Sequence, residues 1–184
     1  GADLTQTTTG SQPGLDTTAH EITFAGASYL SRARFAASTI EKASVYSVAK
    51  FTDAASDAFL YSHNNNGPRA FFSDGGSTIG YGQEQSGTFN DKSLAHVATY
   101  HLAAAVLDRS QATATDKTKV CVNGTEATTA PVSDGVYMNM SSGTFYVGIH
   151  YGMAYALTGG VKELVIVPIA STTGQRTDAQ ININ

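Results

Sequence analysis

The groups in this chain that could do acid–base or metal chemistry are 15 Asp and Glu, 5 His and one Cys, and there is no Trp. Two carboxylates on one face of a strand, spaced by its period of two, would supply the acid and nucleophile of a glycoside hydrolase. The residues two beyond Glu21, Glu41, Glu84, Glu126 and Glu163 are Thr23, Ala43, Ser86, Thr128 and Val165, and no carboxylate pair at that spacing occurs anywhere. Carboxylates on separate strands can still meet, which keeps a glycan-cleaving enzyme as a third reading. His20-Glu21 opens like a zinc-protease motif, but Phe24 stands where the second His is required. Gly80-Tyr81-Gly82 begins a dinucleotide-like pattern that fails at Gln85. Nucleophile elbows, phosphate-cradling Gly-Lys loops and Cys-x-x-Cys pairs are all missing. Cys121, between Val120 and Val122, reads as a small buried hydrophobe.

Recognition chemistry is better represented. A sugar site needs polar groups for hydroxyls and a flat ring for the apolar face of a pyranose. The segments His63 to Arg69, Ser73 to Tyr81 and His150 to Tyr155 supply such groups, and Asn64, Asn65, Arg69, Asp74, Tyr81, His150 and Tyr151 are the candidate carbohydrate-binding residues. Without Trp, stacking falls to Tyr or Phe. His63 and His150 lie at expected strand ends where binding loops begin, whereas His96 reads as a structural histidine within a strand.

The elements that must position these residues are strands. From Ile22 onward, β-rich runs alternate with turn residues at the spacing of a sandwich or barrel. The runs are Glu21 to Ser31, Ala43 to Phe51, Ala58 to Ser62, Arg69 to Ser73, His96 to Leu102, Lys117 to Val122, Thr144 to His150 and Val161 to Ile169. Asn64-Asn65-Asn66-Gly67-Pro68, Asp74-Gly75-Gly76 and Asp134-Gly135 read as loops, and Asn123-Gly124 as a tight hairpin turn. Asn123-Gly124-Thr125 and Asn139-Met140-Ser141 also match the glycosylation sequon. Leu164-Val165-Ile166-Val167 lacks alternation, as a strand covered on both faces would. Phe24, Val97, Val120, Val122, Val147, Leu164 and Ile166 are the expected core. Thr172 and Gln175 have capping-box spacing for a short C-terminal helical turn. Residues 1–18 read as an N-terminal arm or linker, and 19–184 as one sandwich domain.

A net charge of −4 and 11 scattered Lys and Arg leave no basic stripe for nucleic acid. No apolar run is long enough to span a membrane as a helix. The Gly at position 1 reads as the start of a processed chain or an excised piece of a larger protein.

The order of the runs resembles the concanavalin A-like lectin and glucanase superfamily, particularly its bacterial and viral laminin-G-like members. Phe24-Ala25-Gly26-Ala27-Ser28-Tyr29-Leu30 is similar to the family's first strand, Tyr46 to Lys50 to the next inner strand, and His96 to Tyr100 to its His-Val-Ala strand. Val120 to Gly124 resembles its Tyr-Val-Asn-Gly hairpin, and Tyr146 to Ile149 with Leu157 to Leu164 its closing loop and strand. The resemblance covers roughly residues 22–180 and implies an all-β, two-sheet antiparallel jelly-roll sandwich. The family often carries Trp on its second strand and before the His-Val-Ala strand; this chain has none, and it also lacks the Glu-x-Asp-x-Glu strand of the family's glucanases. Rim calcium, common among the relatives, falls on Asp53, Asp57 and Asp74. The function implied is a non-catalytic carbohydrate-binding or adhesion module of a secreted, cell-surface or virion-attached protein such as a phage fibre or spike. Its partners would be a glycan or cell-surface polysaccharide and other subunits of a larger assembly. A structural or protein-binding sandwich in such an assembly is the alternative.

Overall fold

A computed structural model describes residues 4–33, 41–52, 57–63, 66–73, 78–85, 88–95, 99–128, 143–172, 174–175 and 178. Thirteen strands run through them: β1 Gly14–Asp16, β2 Glu21–Phe24, β3 Leu30–Ala33, β4 Lys42–Phe51, β5 Ala58–His63, β6 Asn66–Ser73, β7 Thr78–Gln85, β8 Thr88–Ala95, β9 His101–Asp108, β10 Thr118–Val122, β11 Thr125–Glu126, β12 Thr144–Val147 and β13 Gly159–Val167. A short α-helix, α1, spans Ala114–Lys117, and a 3-10 turn spans Thr9–Ser11. A seven-stranded sheet has the order β1-β2-β13-β4-β9-β10-β11 and a six-stranded sheet the order β3-β12-β5-β6-β7-β8. Their ladders are antiparallel throughout. Part of the segment expected as an arm is paired, since β1 extends β2 and Thr5 bridges Ser31. No helix among the described residues is long and apolar enough to cross a membrane.

Alternation builds the core. Val45, Ala49 and Phe51 of β4, Ala103 and Ala105 of β9, and Val120 and Val122 of β10 face Tyr61, Ala70, Ile79, Tyr81, Phe145 and Val147 of the other sheet. Phe24, Val120, Val122 and Val147 are buried as expected; Val97 lies outside the described residues. Leu164 and Ile166 pack against the core but are only half-buried, and Val165 is 38% exposed. Strand β13 is therefore covered on one face, not two. Its apolar run misleads because the outward valine is simply left at the surface, which is ordinary for single apolar residues.

Three other readings change. Strand β9 begins at His101 and runs through Ala103, Ala104 and Ala105, a stretch of weak strand propensity accepted because two wide neighbours flank it in mid-sheet. Asn66, Gly67 and Pro68, expected in a loop, lie in β6. The β5–β6 ladder runs over Ala70, Phe71 and Phe72, so no β5 residue is paired with Pro68, which lacks an amide to donate. Strands β7 and β8 were concealed by Gly80, Gly82 and a polar second half. The Asn123-Gly124 hairpin forms as expected, with φ of 47° and 81°. Reciprocal bonds Thr172 N–H to Gln175 Oε1 (2.9 Å) and Gln175 N–H to Thr172 Oγ1 (3.3 Å) make the capping box.

Tyr81 is the principal correction. It is fully buried on the inner face of β7, not in a loop, and its hydroxyl meets His101 Nε2 on the opposite sheet at 2.7 Å. Burial pushes the phenol well above its ordinary range, and the Ser47 hydroxyl beside it only partly offsets that. The phenol stays protonated and is the donor available to the ring. Phe51 stacks on His101 with centroids 6.0 Å apart. Tyr81→Phe is expected to cost about 1–3 kcal/mol in urea unfolding, because it strips a buried ring nitrogen of its donor while keeping the volume. An unchanged midpoint would show the pair to be dispensable.

A second polar anchor closes the far end of the seven-stranded sheet. Asp108 accepts from Ser110 N–H (3.0 Å), Ser110 Oγ (2.6 Å) and Gln111 Nε2 (2.9 Å), and Lys42 Nζ lies 3.3 Å away. Burial alone would push this carboxyl up, but the Ser110 hydroxyl, the Gln111 amide, the Ser110 backbone and Lys42 hold it at about 2. A depressed carboxyl stabilises the fold above its unfolded value and loses that contribution as pH falls through its folded value. Asp108→Asn should therefore lower stability at neutral pH by on the order of 1–2 kcal/mol and flatten acid unfolding between about pH 4 and pH 2. Thermal melts across that window measure both effects.

Candidate functional site: an aromatic loop on the six-stranded sheet

The chain leaves β12 at Gly148 and reaches β13 at Gly159, and the loop between them carries most of the candidate chemistry. Gly148 has φ of 89°, and a Cβ there would run into the Phe24 ring, so only glycine fits. The neck is closed by Leu157 N–H to Gly148 O (2.7 Å) and joined to β5 by Gly148 N–H to Leu60 O (2.9 Å). Buried Ile149 and Leu157 anchor it from below.

Within the loop, His150 N–H donates to Ala154 O (3.1 Å), Met153 N–H to His150 O (2.8 Å) and Gly152 N–H to His150 Nδ1 (3.2 Å). Phe59 N–H donates to Tyr155 O (3.0 Å) and pins the returning limb to β5. Met153 and Tyr155 have φ of 60° and 55°, the left-handed region that side chains other than glycine adopt at a cost. That backbone holds them outward, 50% and 53% exposed.

The rings form one cluster. His150 lies 4.6 Å from Phe59 and 4.1 Å from Tyr151 between centroids, and Tyr155 is 6.1 Å from His150 and 6.3 Å from Phe59. Arg69 of β6 is buried, with its guanidinium 5.6 Å from the Phe59 centroid. Arg69 and His150 thus approach the same Phe59 ring, with Tyr151 against His150, although Arg69 is buried in a strand and not in a loop. Tyr81 is excluded by its inner face. Asn64, Asn65, Asp74 and Asp53 lie outside the described residues. Phe59 and the exposed pair Met153 and Tyr155 were missed as individual residues. Phe59 lies on the outer side because the ladder between β5 and β6 slips between Phe59 and Tyr61, a bulge that no local pattern announces.

Asp57, half-buried, leads into β5. Among the described residues no three His, Cys, Asp or Glu side chains group as a metal site. The carboxylates that strands bring near one another are committed elsewhere. Glu21 is buried with Oε1 3.2 Å from Lys50 Nζ. Asp16, opposite it in register, accepts from Ala19 and Thr18 N–H (both 2.9 Å), which holds its carboxyl below the usual range. A glycosidase acid needs the reverse shift.

No protein-family model matches the chain, and no curated protein matches it. Solved structures do. A heptameric SAP-like pentraxin from Limulus polyphemus aligns at 15% identity and TM-score 0.56, over 90% of this chain and 77% of that one. A botulinum neurotoxin type C structure, described as entering cells through interaction with two ganglioside molecules, aligns at 9% identity and TM-score 0.69 over 99% of this chain. Domains LG4-5 of the mouse laminin alpha1 chain align at 11% identity and TM-score 0.58 over 91% of this chain. This chain spans 46% of the toxin and laminin chains. With two antiparallel sheets stacked in this order, the fold is the concanavalin A-like, laminin-G-type jelly roll.

Proposed function

We propose that the chain is a non-catalytic recognition module that binds glycan through the His150, Tyr151 and Tyr155 rings laid over buried Phe59, on a secreted, cell-surface or virion-attached protein. The carrying observation is the left-handed backbone that holds Met153 and Tyr155 exposed beside a cluster of tilted rings. Strained backbone that keeps large apolar groups in water is a cost that a ligand-binding loop explains. Tyr rings offer both a stacking face and a hydroxyl, which suits a pyranose. The fold's occurrence in a ganglioside-dependent toxin supports the reading. Another neighbour is a toxin binding domain in complex with rat synaptotagmin II, and exposed Met153 favours a protein partner as the second reading.

A single shallow site of this kind binds weakly, so a multimerised form should be applied to a glycan array. Tyr155→Ala and Tyr151→Ala are each expected to weaken binding about threefold to tenfold, the worth of one ring contact. Their melting temperatures should stay near the parent's, since both rings lie outside the main core. Unaltered binding by both variants removes the site from this loop, and a parent that retains no glycan favours the protein-binding reading.

The calcium reading on Asp53, Asp57 and Asp74 has its own test. If a rim ion is held, chelator lowers the melting temperature and added calcium restores it, because an ion bound only by the folded state stabilises it. A melt unmoved by chelator assigns the three carboxylates to turns.

A further inference from the structure

We propose that the chain pairs with a second copy of itself along β1, antiparallel and centred on Leu15, so that two seven-stranded sheets continue into one another. Pairing of this kind is independent of any glycan.

A sheet edge exposes unpaired backbone groups, and proteins guard such edges by shortness, charge or cover. Of the four sheet edges among the described residues, three are guarded. Strand β3 is covered at Ser31 by Thr5, whose N–H donates to Ser31 O and whose carbonyl accepts from Ser31 N–H, both at 2.9 Å. Strand β11 has only two residues. Strand β8 has eight, but symmetry guards it. A two-fold axis between antiparallel strands keeps each side chain on its own face, so paired positions differ by an even number and one residue always meets its own copy. The two registers that use most of β8 set Asp91 against Asp91 or Lys92 against Lys92. Like charges directly opposite one another are destabilising.

Strand β1 has no such guard, and among the described residues nothing pairs with its outer edge. With the axis at Leu15, all three of its residues pair. Leu15 meets Leu15 of the second copy, and each Asp16 meets a Gly14, which brings neither charge nor side chain. Pro13 has no amide and ends the ladder there. The strand of an unrelated protein would have to supply an apolar residue at the centre and no carboxylate opposite Asp16; a second copy does both.

The leucine side chain supplies the rest of the contact. Leu15 stands opposite Ile22, which packs on the core, so it points to the inner face, yet it is 72% exposed. Beside it a cleft of about 410 Å³ lies between the two sheet edges, lined by Leu4, Pro13, Ile22 and Leu30. In the pair, the second copy's Leu15 lies about 5 Å away between Cβ atoms, on the same face and at the mouth of this cleft. The relation is reciprocal, as a two-fold contact requires. Such a contact is smaller than the about 1,200–2,000 Å² of a stable interface, which puts pairing in the micromolar range.

Sedimentation equilibrium of the whole chain, from low micromolar to near-millimolar concentration, should show the mass move from one chain to two. Leu15→Asp sets two carboxylates face to face and should weaken the pair about tenfold or more, as loss of a buried leucine contact gives. Its melting temperature at low concentration should match the parent's, because the side chain is exposed in the single chain. Cysteine substitution reads the register, since opposed residues of an antiparallel pair have Cα atoms within disulfide range. In a Cys121→Ser background, mild oxidation of Leu15→Cys should give a covalent dimer, and Asp91→Cys should give none. A parent that stays single at the highest concentration, a dimer that persists in Leu15→Asp, or a covalent dimer from Asp91→Cys and not from Leu15→Cys overturns the proposal.

Discussion

The hydrogen bond between Tyr81 and His101 is the contact about which the sandwich is organised. It joins the inner faces of two sheets through a layer that is mostly apolar. A polar pair in such a layer is tolerated only when satisfied, and an apolar environment both strengthens the bond and makes its loss expensive. It therefore sets more than stability. Tyr81 on β7 must stand opposite His101 on β9, so the two sheets cannot slide by a residue without burying both groups unpaired. The alanines that follow His101 leave room for the large rings contributed by the other sheet.

The outer face of the six-stranded sheet answers to the same alternation. Every residue of β5 is buried, which means that its outer side is covered as well as its inner side. Cover is supplied by the loop that leaves Gly148, with His150 laid on Phe59. The candidate site is thus a second, smaller packing layer whose outermost residues, Met153 and Tyr155, have nothing of this chain above them among the described residues. A loop held by its own backbone bonds and by one ring nitrogen is a low-stability unit on a rigid support, the usual arrangement for a part of a fold that meets other molecules.

Charge is handled differently on the two sheets. On the outer side of the seven-stranded sheet, Glu21 is paired with Lys50, and Lys50 and Lys162 lie 4.7 and 4.5 Å from the Tyr100 ring centroid. Asp108 is saturated by neighbours. These carboxylates are fixed in structural bonds. The aromatic loop, by contrast, offers rings, hydroxyls and one imidazole.

Local chemistry was readable wherever a few adjacent residues suffice. Asn123-Gly124 tolerates two positive φ angles, Thr172 and Gln175 can cap each other, and short β-rich runs between turns permit only a sandwich or barrel; neighbours along the chain decide each of these. The order of the runs was enough to point to the jelly roll, and the rim segment His150 to Tyr155 was visible as a cluster of rings and polar groups in a loop. Which way a side chain faces was not readable. Tyr81 and Tyr151 are the same residue type with similar polar surroundings, yet one faces the core and the other the loop surface, because strand register across β6 and β7 assigns the faces. Phe59 faces outward because of a bulge between strands, and Arg69 lies under it for the same long-range reason. Tertiary structure alone decided which ring met His101 and which met His150, since both depend on pairings between residues far apart in sequence.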